Sequence, residues 1–228
     1  VKPYSIVFID LDDTLLDFAA AEREALAGVF ADFSLALSPE AARVYEEKNT
    51  ALWKALERGE IDQGRLKVER FRQCFDELGW SVDAAAVSAA YIARLGRSAI
   101  LLPHAQESCA YLAAKYRLAL ITNGIADVQH PRIKASPFAQ LIELVVVSEE
   151  AGCGKPDPAI FGYACERLGF FDKAAMIMVG DSLASDVQGA SNFGIDSCWL
   201  NPSAKERPAG SPAPSYEIRS LEEIATIL

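Results

Sequence analysis

Short apolar runs and longer stretches of helical periodicity divide this chain unevenly. Ile6-Val7-Phe8-Ile9 is continuous, β-branched or aromatic, and is broken by the carboxylates of Asp10-Leu11-Asp12-Asp13. That is the pattern of a buried strand delivering charge to its C-terminal edge. From Asp17 to about Ser98 the spacing is helical with short polar breaks, and no convincing strand interrupts it. Four helices are expected there. The first runs from about Ala19 to Phe33, with Leu26, Val29, Phe30 and Phe33 on one side. Ser38-Pro39 opens the second with an N-cap and a proline at its first position, and Arg58-Gly59-Glu60 ends it. A third covers about Gln63 to Leu78 before Gly79, and Val87, Tyr91 and Leu95 mark the fourth.

After Pro103 helix and strand alternate. Strands are expected at Leu118 to Ile121, Leu144 to Val147, Met176 to Val179 and Ser197 to Leu200. Helices are expected from about His104 to Tyr116, Pro158 to Leu168, Ala184 to Phe193 and Leu221 to Leu228. A weak helical stretch broken by Pro131 lies between the second and third strands, and a glycine-rich loop, Gly152-Cys153-Gly154-Lys155-Pro156, follows the third. Asn201 to Ser215 holds four prolines and reads as a surface loop. The alternation predicts an α/β fold: a Rossmann-like doubly wound parallel sheet from residues 1–16 and 99–228, with a four-helix cap inserted at 17–98.

Composition narrows the partners. At 228 residues, 51% hydrophobic and 24% charged, the chain can bury a real core. Its net charge of −10, without a basic block, would repel a polyanion, so no nucleic-acid polymer is expected. A small phosphate ester remains compatible, because a divalent cation inverts the local sign at a carboxylate-lined site. The five cysteines are scattered without C-x-x-C spacing, as in a reduced, cytoplasmic protein. No leader pattern and no membrane-length apolar run is present, so neither export nor membrane insertion is expected.

Three of the expected strands end in polar residues: Asp10, Asp12 and Thr14 after the first, Thr122 and Asn123 after the second, Asp181 and Asp186 after the fourth. Lys155 follows the strand between the last two sets. In a parallel sheet these ends converge on one edge. Carboxylates gathered there repel one another unless a cation lies among them, and hard oxygen donors without a His or Cys pattern favour Mg²⁺ over zinc. Lys155 with the Thr122-Asn123 pair adds donors for the oxygens of a phosphoryl group. The set points to phosphoryl transfer.

Asp10-Leu11-Asp12-Asp13-Thr14, Leu120-Ile121-Thr122-Asn123-Gly124, Lys155-Pro156 and Gly180-Asp181-Ser182 with Asp186 resemble the four ordered motifs of the haloacid dehalogenase superfamily. The helical insertion falls where that superfamily's first cap type belongs. The resemblance implies that Asp10 is the nucleophile forming an aspartyl-phosphate, and that Asp12 protonates the leaving oxygen and then activates water. It implies that Thr122, Asn123 and Lys155 bind the phosphoryl oxygens, Lys155 also neutralising the nucleophile. Mg²⁺ would be held by Asp10, Asp181 and the main-chain carbonyl of Asp12, with Asp186 steadying it through water. Ser182 could share that task or cap the helix after it. Dehalogenases lack the second aspartate, since a halide leaves without a proton; Asp12 therefore favours a phosphate ester.

Substrate choice would rest with the cap. Asn49 and Arg70 interrupt apolar helix stripes and Trp53 lies one turn from Asn49, so these are candidate substrate contacts beside Asp17 and Phe18 where the chain leaves the core. Ordinary roles also suit them: core for Trp53, a rim ion pair for Arg70, an isolated polar residue for Asn49. In finer detail the stretch Asp12 to Phe18, the spacing of Asn49, Leu52-Trp53 and Gly59, Arg70-Phe71 and the near-terminal Tyr216-Glu217-Ile218 are similar to a cytosolic branch acting on pyrimidine, including non-standard, nucleoside 5′-monophosphates. One departure is Gln129-His130-Pro131-Arg132, which breaks the basic helix expected after Asn123-Gly124. The expectation is a Mg²⁺-dependent phosphomonoesterase for a small phosphorylated metabolite, a nucleoside monophosphate, working as a monomer or weak homo-oligomer. Its rivals are a sugar-phosphate or phosphoglycolate-type phosphatase, a phosphomutase of the same fold, and a non-catalytic binding protein.

Overall fold

The computed structural model describes residues 4–228; residues 1–3, expected to lead into the first strand, lie outside the described residues. The chain divides into two units, Ala19–Ser98 and the remainder. In the remainder, the described strands are β1 (Ile6–Ile9), β2 (Arg117–Thr122), β3 (Leu144–Val147), β4 (Met176–Gly180), β5 (Asp196–Leu200) and β6 (Tyr216–Ile218). They form one parallel sheet in the order β3-β2-β1-β4-β5-β6. The order reverses at β1, which places the C-terminal ends of β2, β1 and β4 side by side, where open α/β sheets keep their crevice.

Strand alternation sends successive side chains to opposite faces, and both faces are covered. Val7 and Ile9, with Leu118, Leu120, Ile177 and Val179, pack against α5 (Ala105–Ala113) and the C-terminal turn α10 (Ile224–Ile227). Ile6 and Phe8, with Ala119, Ile121, Met176 and Met178, pack against α8 (Ala159–Leu168) and α9 (Gln188–Phe193). Phe8 meets Phe161 of α8 edge-on at 5.8 Å. With both faces buried, only the ends of β1 can carry charge.

The helical unit holds α1 (Phe18–Asp32), α2 (Pro39–Glu57), α3 (Gln63–Leu78) and α4 (Ala84–Leu95). Three of them start on a side-chain cap: Ser38 Oγ accepts from Ala41 N at 3.1 Å, Asp62 from Arg65 N at 2.7 Å, and Asp83 from Ala85 N at 2.9 Å. Gly79 ends α3 at φ 69°, a left-handed conformation that suits glycine. The unit's interior is aromatic, with Tyr45, Phe71, Phe75 and Tyr91 buried and Phe71 meeting Tyr91 at 5.3 Å.

The structure departs from the sequence expectations in places. Pro131 does not break its helix: α6 runs unbroken from Ala126 to Ala135. Proline forfeits one N–H bond, but Val128, Gln129, Arg132 and Ile133 are buried on the opposite face and anchor both halves. The Gly-rich loop is preceded by a helical turn, α7 (Ser148–Ala151), closed by Gly152 at φ 71°. Tyr216–Ile218, three residues without a readable period, become a strand by pairing along β5. The expected helix after Asp181 opens as a π-turn, Leu183–Val187, before α9.

Candidate active site

Asp10 follows β1, Thr122 ends β2 and Asp181 follows β4, so backbone pairing alone brings them to one edge. Asp10 N donates to Val179 O at 2.9 Å, extending the ladder one step past β1. Lys155, from the loop after α7, is buried, and its Nζ donates to Asp10 Oδ1 at 2.5 Å and Asp186 Oδ1 at 2.7 Å. Burial alone would lower its pKa; the two carboxylates override that and raise it, so the lysine stays charged.

Asp186 sits on the π-turn, where Ser182 N donates to its Oδ2 at 3.0 Å. The opening of this turn requires Gly180: a Cβ there would lie 2.2 Å from Asp186 Oδ2. Ser182 Oγ accepts from Ser185 N at 3.2 Å and so caps the turn. Thr14 stands between two carboxyl groups, 3.3 Å from both Asp10 Oδ2 and Asp181 Oδ1, and accepts from Asp181 N at 3.1 Å. Trp199 Nε1 donates to Asp181 O at 2.8 Å and fixes that main chain from β5.

Asp10, Asp181 and Asp186 each bring a carboxylate oxygen within 4.8 Å of the others. Burial first, then the charges of Asp10, Asp186 and Asp13, push Asp181 up to about 7. Burial likewise pushes Asp186 up to about 6, against the pull of Lys155. Three carboxylates facing one ammonium leave two negative charges, the complement of one divalent cation, and all the donors are hard oxygens.

The other sequence-predicted residues divide into two groups. Asn123 brackets the Lys155 main chain, its Nδ2 donating to Lys155 O at 2.6 Å and its Oδ1 accepting from Lys155 N at 2.8 Å. Asp12, with a side chain 24% exposed, is held by two residues that sequence reasoning treated only as a helix break. Arg132 Nη1 donates to Asp12 Oδ1 at 2.5 Å, and Gln129 Nε2 to Asp12 Oδ2 at 2.7 Å. Gln129 Nε2 also donates to Thr122 Oγ1 at 2.7 Å. Burial pushes the Asp12 pKa up, with Arg132 and Gln129 opposing. The i, i+3 spacing of two long polar residues on the apolar side of α6 was the available signal for them. Phe18 lies with its ring 5.6 Å from the Arg132 guanidinium, and Asp17 N bonds to Ile100 O at 2.8 Å.

Asn49 and Arg70 belong to the helical unit and meet inside it. Arg70 is buried rather than at a rim; its Nη1 donates to Asn49 Oδ1 at 3.3 Å and its guanidinium lies 4.8 Å from the Tyr91 ring centre. Asn49 Nδ2 and Tyr91 Oη both donate to Glu22 Oε1, at 3.4 and 3.1 Å. Each helix thus gives one member to a polar layer across an aromatic core. Trp53 is half-buried on α2.

A family model described as haloacid dehalogenase-like hydrolase matches residues 4–194. The chain is 33% identical to YfnB of Bacillus subtilis, a protein named as a HAD-hydrolase, over all of this chain and 97% of that one. It is 32% identical to pyrimidine 5′-nucleotidase YjjG of Escherichia coli, over 97% of this chain and 96% of that one. Pyrimidine 5′-nucleotidase PynA of Streptococcus pneumoniae is also 32% identical, over 99% and 95% of the two chains. The crystal structure of YfnB, described as bound to magnesium and revealing interdomain movement, superposes with a TM-score of 0.91 over 100% of this chain and 99% of that one. Among the described residues no helix is long and apolar enough to cross a membrane.

Proposed function

Because this chain belongs to the haloacid dehalogenase-like hydrolase family, we propose that it hydrolyses phosphate monoesters through Asp10, with pyrimidine nucleoside 5′-monophosphates as substrates. The observation that carries this reading is the buried Lys155 ammonium shared by Asp10 and Asp186, with Asp12 two residues beyond the nucleophile. The pyrimidine nucleotide preference is supported by the two full-length relatives of that name.

Asp10 attacks phosphorus and the phosphorus–ester oxygen bond breaks, its electron pair leaving with the ester oxygen. Asp12 gives that oxygen a proton, so a neutral alcohol departs. Asp12, now ionised, takes a proton from a water whose oxygen attacks the aspartyl-phosphate. The bond from phosphorus to the Asp10 oxygen breaks, releasing inorganic phosphate and restoring the carboxylate. Lys155 neutralises charge on the nucleophile and on the transferring group. Thr122 accepts from Gln129 and keeps its own O–H for a phosphoryl oxygen. Asn123 acts by fixing the backbone that presents Lys155.

The carboxylate set suits magnesium: Asp10, Asp181 and the main-chain carbonyl of Asp12 would bind it, with Asp186 behind them. The ion, when bound, supplies positive charge against the phosphoryl oxygens. Residues 17–98 act as a cap that selects the leaving group, Asn49 and Trp53 being its candidate contacts, while Arg70 is held inside the helical unit by Asn49 and Tyr91. The five free cysteines, four of them buried, suit a reducing cytoplasm.

Phosphate release from p-nitrophenyl phosphate with Mg²⁺, then from a panel of nucleotides and sugar phosphates, tests the reading. Turnover of pyrimidine nucleoside 5′-monophosphates above the sugar phosphates is expected. Asp10→Asn should abolish turnover while circular dichroism stays unchanged. An active D10N enzyme, or a wild type inert toward every ester, overturns the mechanism.

A further inference from the structure

We infer that Gln129 and Arg132 are positioning residues that hold the Asp12 carboxyl in a two-point clamp, one oxygen on a guanidinium and the other on an amide. This rests on the reading of Asp12 as the group that protonates the leaving oxygen. Arg132 is wholly buried, a costly place for a cation, and its guanidinium is spent on Asp12 Oδ1 at 2.5 Å and Gln129 Oε1 at 3.0 Å. Guanidinium has donors and no acceptor, so the oxygen it grips is fixed in place.

Oδ2 faces a neutral amide instead. Gln129 Nε2 carries two hydrogens, and both have acceptors: Asp12 Oδ2 and Thr122 Oγ1, each at 2.7 Å. The amide is itself tethered to Thr122 and Arg132, so the carboxyl keeps its place. The site makes room for this amide. Gly124 lies beside it, and a Cβ there would come within 2.6 Å of Gln129 Nε2. Asp12, Gln129, Arg132, Thr122 and Gly124 therefore form one unit joining β1, β2 and α6.

An acid out of place matters most when the leaving alcohol is a poor one. Arg132→Met, Arg132→Lys, Gln129→Met and Gly124→Ala would be assayed on p-nitrophenyl phosphate, phenyl phosphate and a nucleoside 5′-monophosphate. R132M and Q129M should lower kcat/KM, which reports only the steps up to departure of the alcohol and not the shared hydrolysis of the aspartyl-phosphate, by about 10²-fold on the nucleotide, the usual worth of a placed acid, and by about threefold at most on the p-nitrophenyl ester. R132K should recover part of the loss, and G124A should behave like Q129M without removing any polar group. Equal losses across the three esters, or no loss, overturn the inference and leave the phosphatase reading standing. A wild type inert on all three overturns both. Should R132M not fold, Q129M and G124A decide by the same comparison.

Discussion

Lys155→Met gives the sharpest test of the site's electrostatics. The side chain is 1% exposed and spends its ammonium on two carboxylates, at 2.5 and 2.7 Å. Methionine matches its length and apolar stem, so little packing is lost; what changes is that Asp10 and Asp186 are left buried without their cation. Breaking a buried ion pair by removing one partner costs about 3–5 kcal/mol. For a chain of this size each kcal/mol moves Tm by about 2–4 °C, so a loss of about 10 °C is expected. Asp186→Asn in the K155M background removes one of the stranded charges. The double variant should therefore be more stable than the sum of the single losses by about 1–3 kcal/mol. Urea titration at pH 8 without divalent metal, read by Trp199 fluorescence with Trp53 and Trp80 replaced by Phe, isolates the sheet unit; Trp199 bonds to the Asp181 main chain. Stability of K155M within about 1 kcal/mol of its parent, or additive losses in the double variant, would show that Lys155 does not hold this pair together.

Other outcomes follow from the same geometry. Asp181→Asn removes one charge from three crowded carboxylates, so the metal-free protein should gain about 1 kcal/mol while the thermal shift given by MgCl₂ disappears; an undiminished shift refutes the cation site. Gly180→Ala would drive a methyl into Asp186, costing about 1–3 kcal/mol by overpacking, with turnover falling as Asp186 moves; a neutral effect in calorimetry counts against the π-turn geometry. Pro131→Ala should stabilise α6 by about 1–2 kcal/mol, since the helix is continuous there and proline withholds an N–H; a destabilised variant in urea titration would mean that the helix is broken after all.

Local chemistry made much of this protein legible. A charge-terminated apolar run, helix caps at Ser38 and Gly79, and strict helix–strand alternation after Pro103 are decided by nearby residues, because burial on two faces and capping act over a few positions. The three polar strand ends could be expected to converge, since a parallel sheet puts them on one edge whatever the strand order. Tertiary structure alone decided the rest. Pro131 stays in a helix because distant partners, Asp12 and Thr122, hold the side chains flanking it. Tyr216–Ile218 is a strand only because β5 offers an edge. Arg70 and Asn49, legible as interruptions of apolar stripes, meet Glu22 and Tyr91 only when four helices pack. Each of these outcomes depends on a partner far away in the chain, and no window along the sequence contains both halves of such a contact.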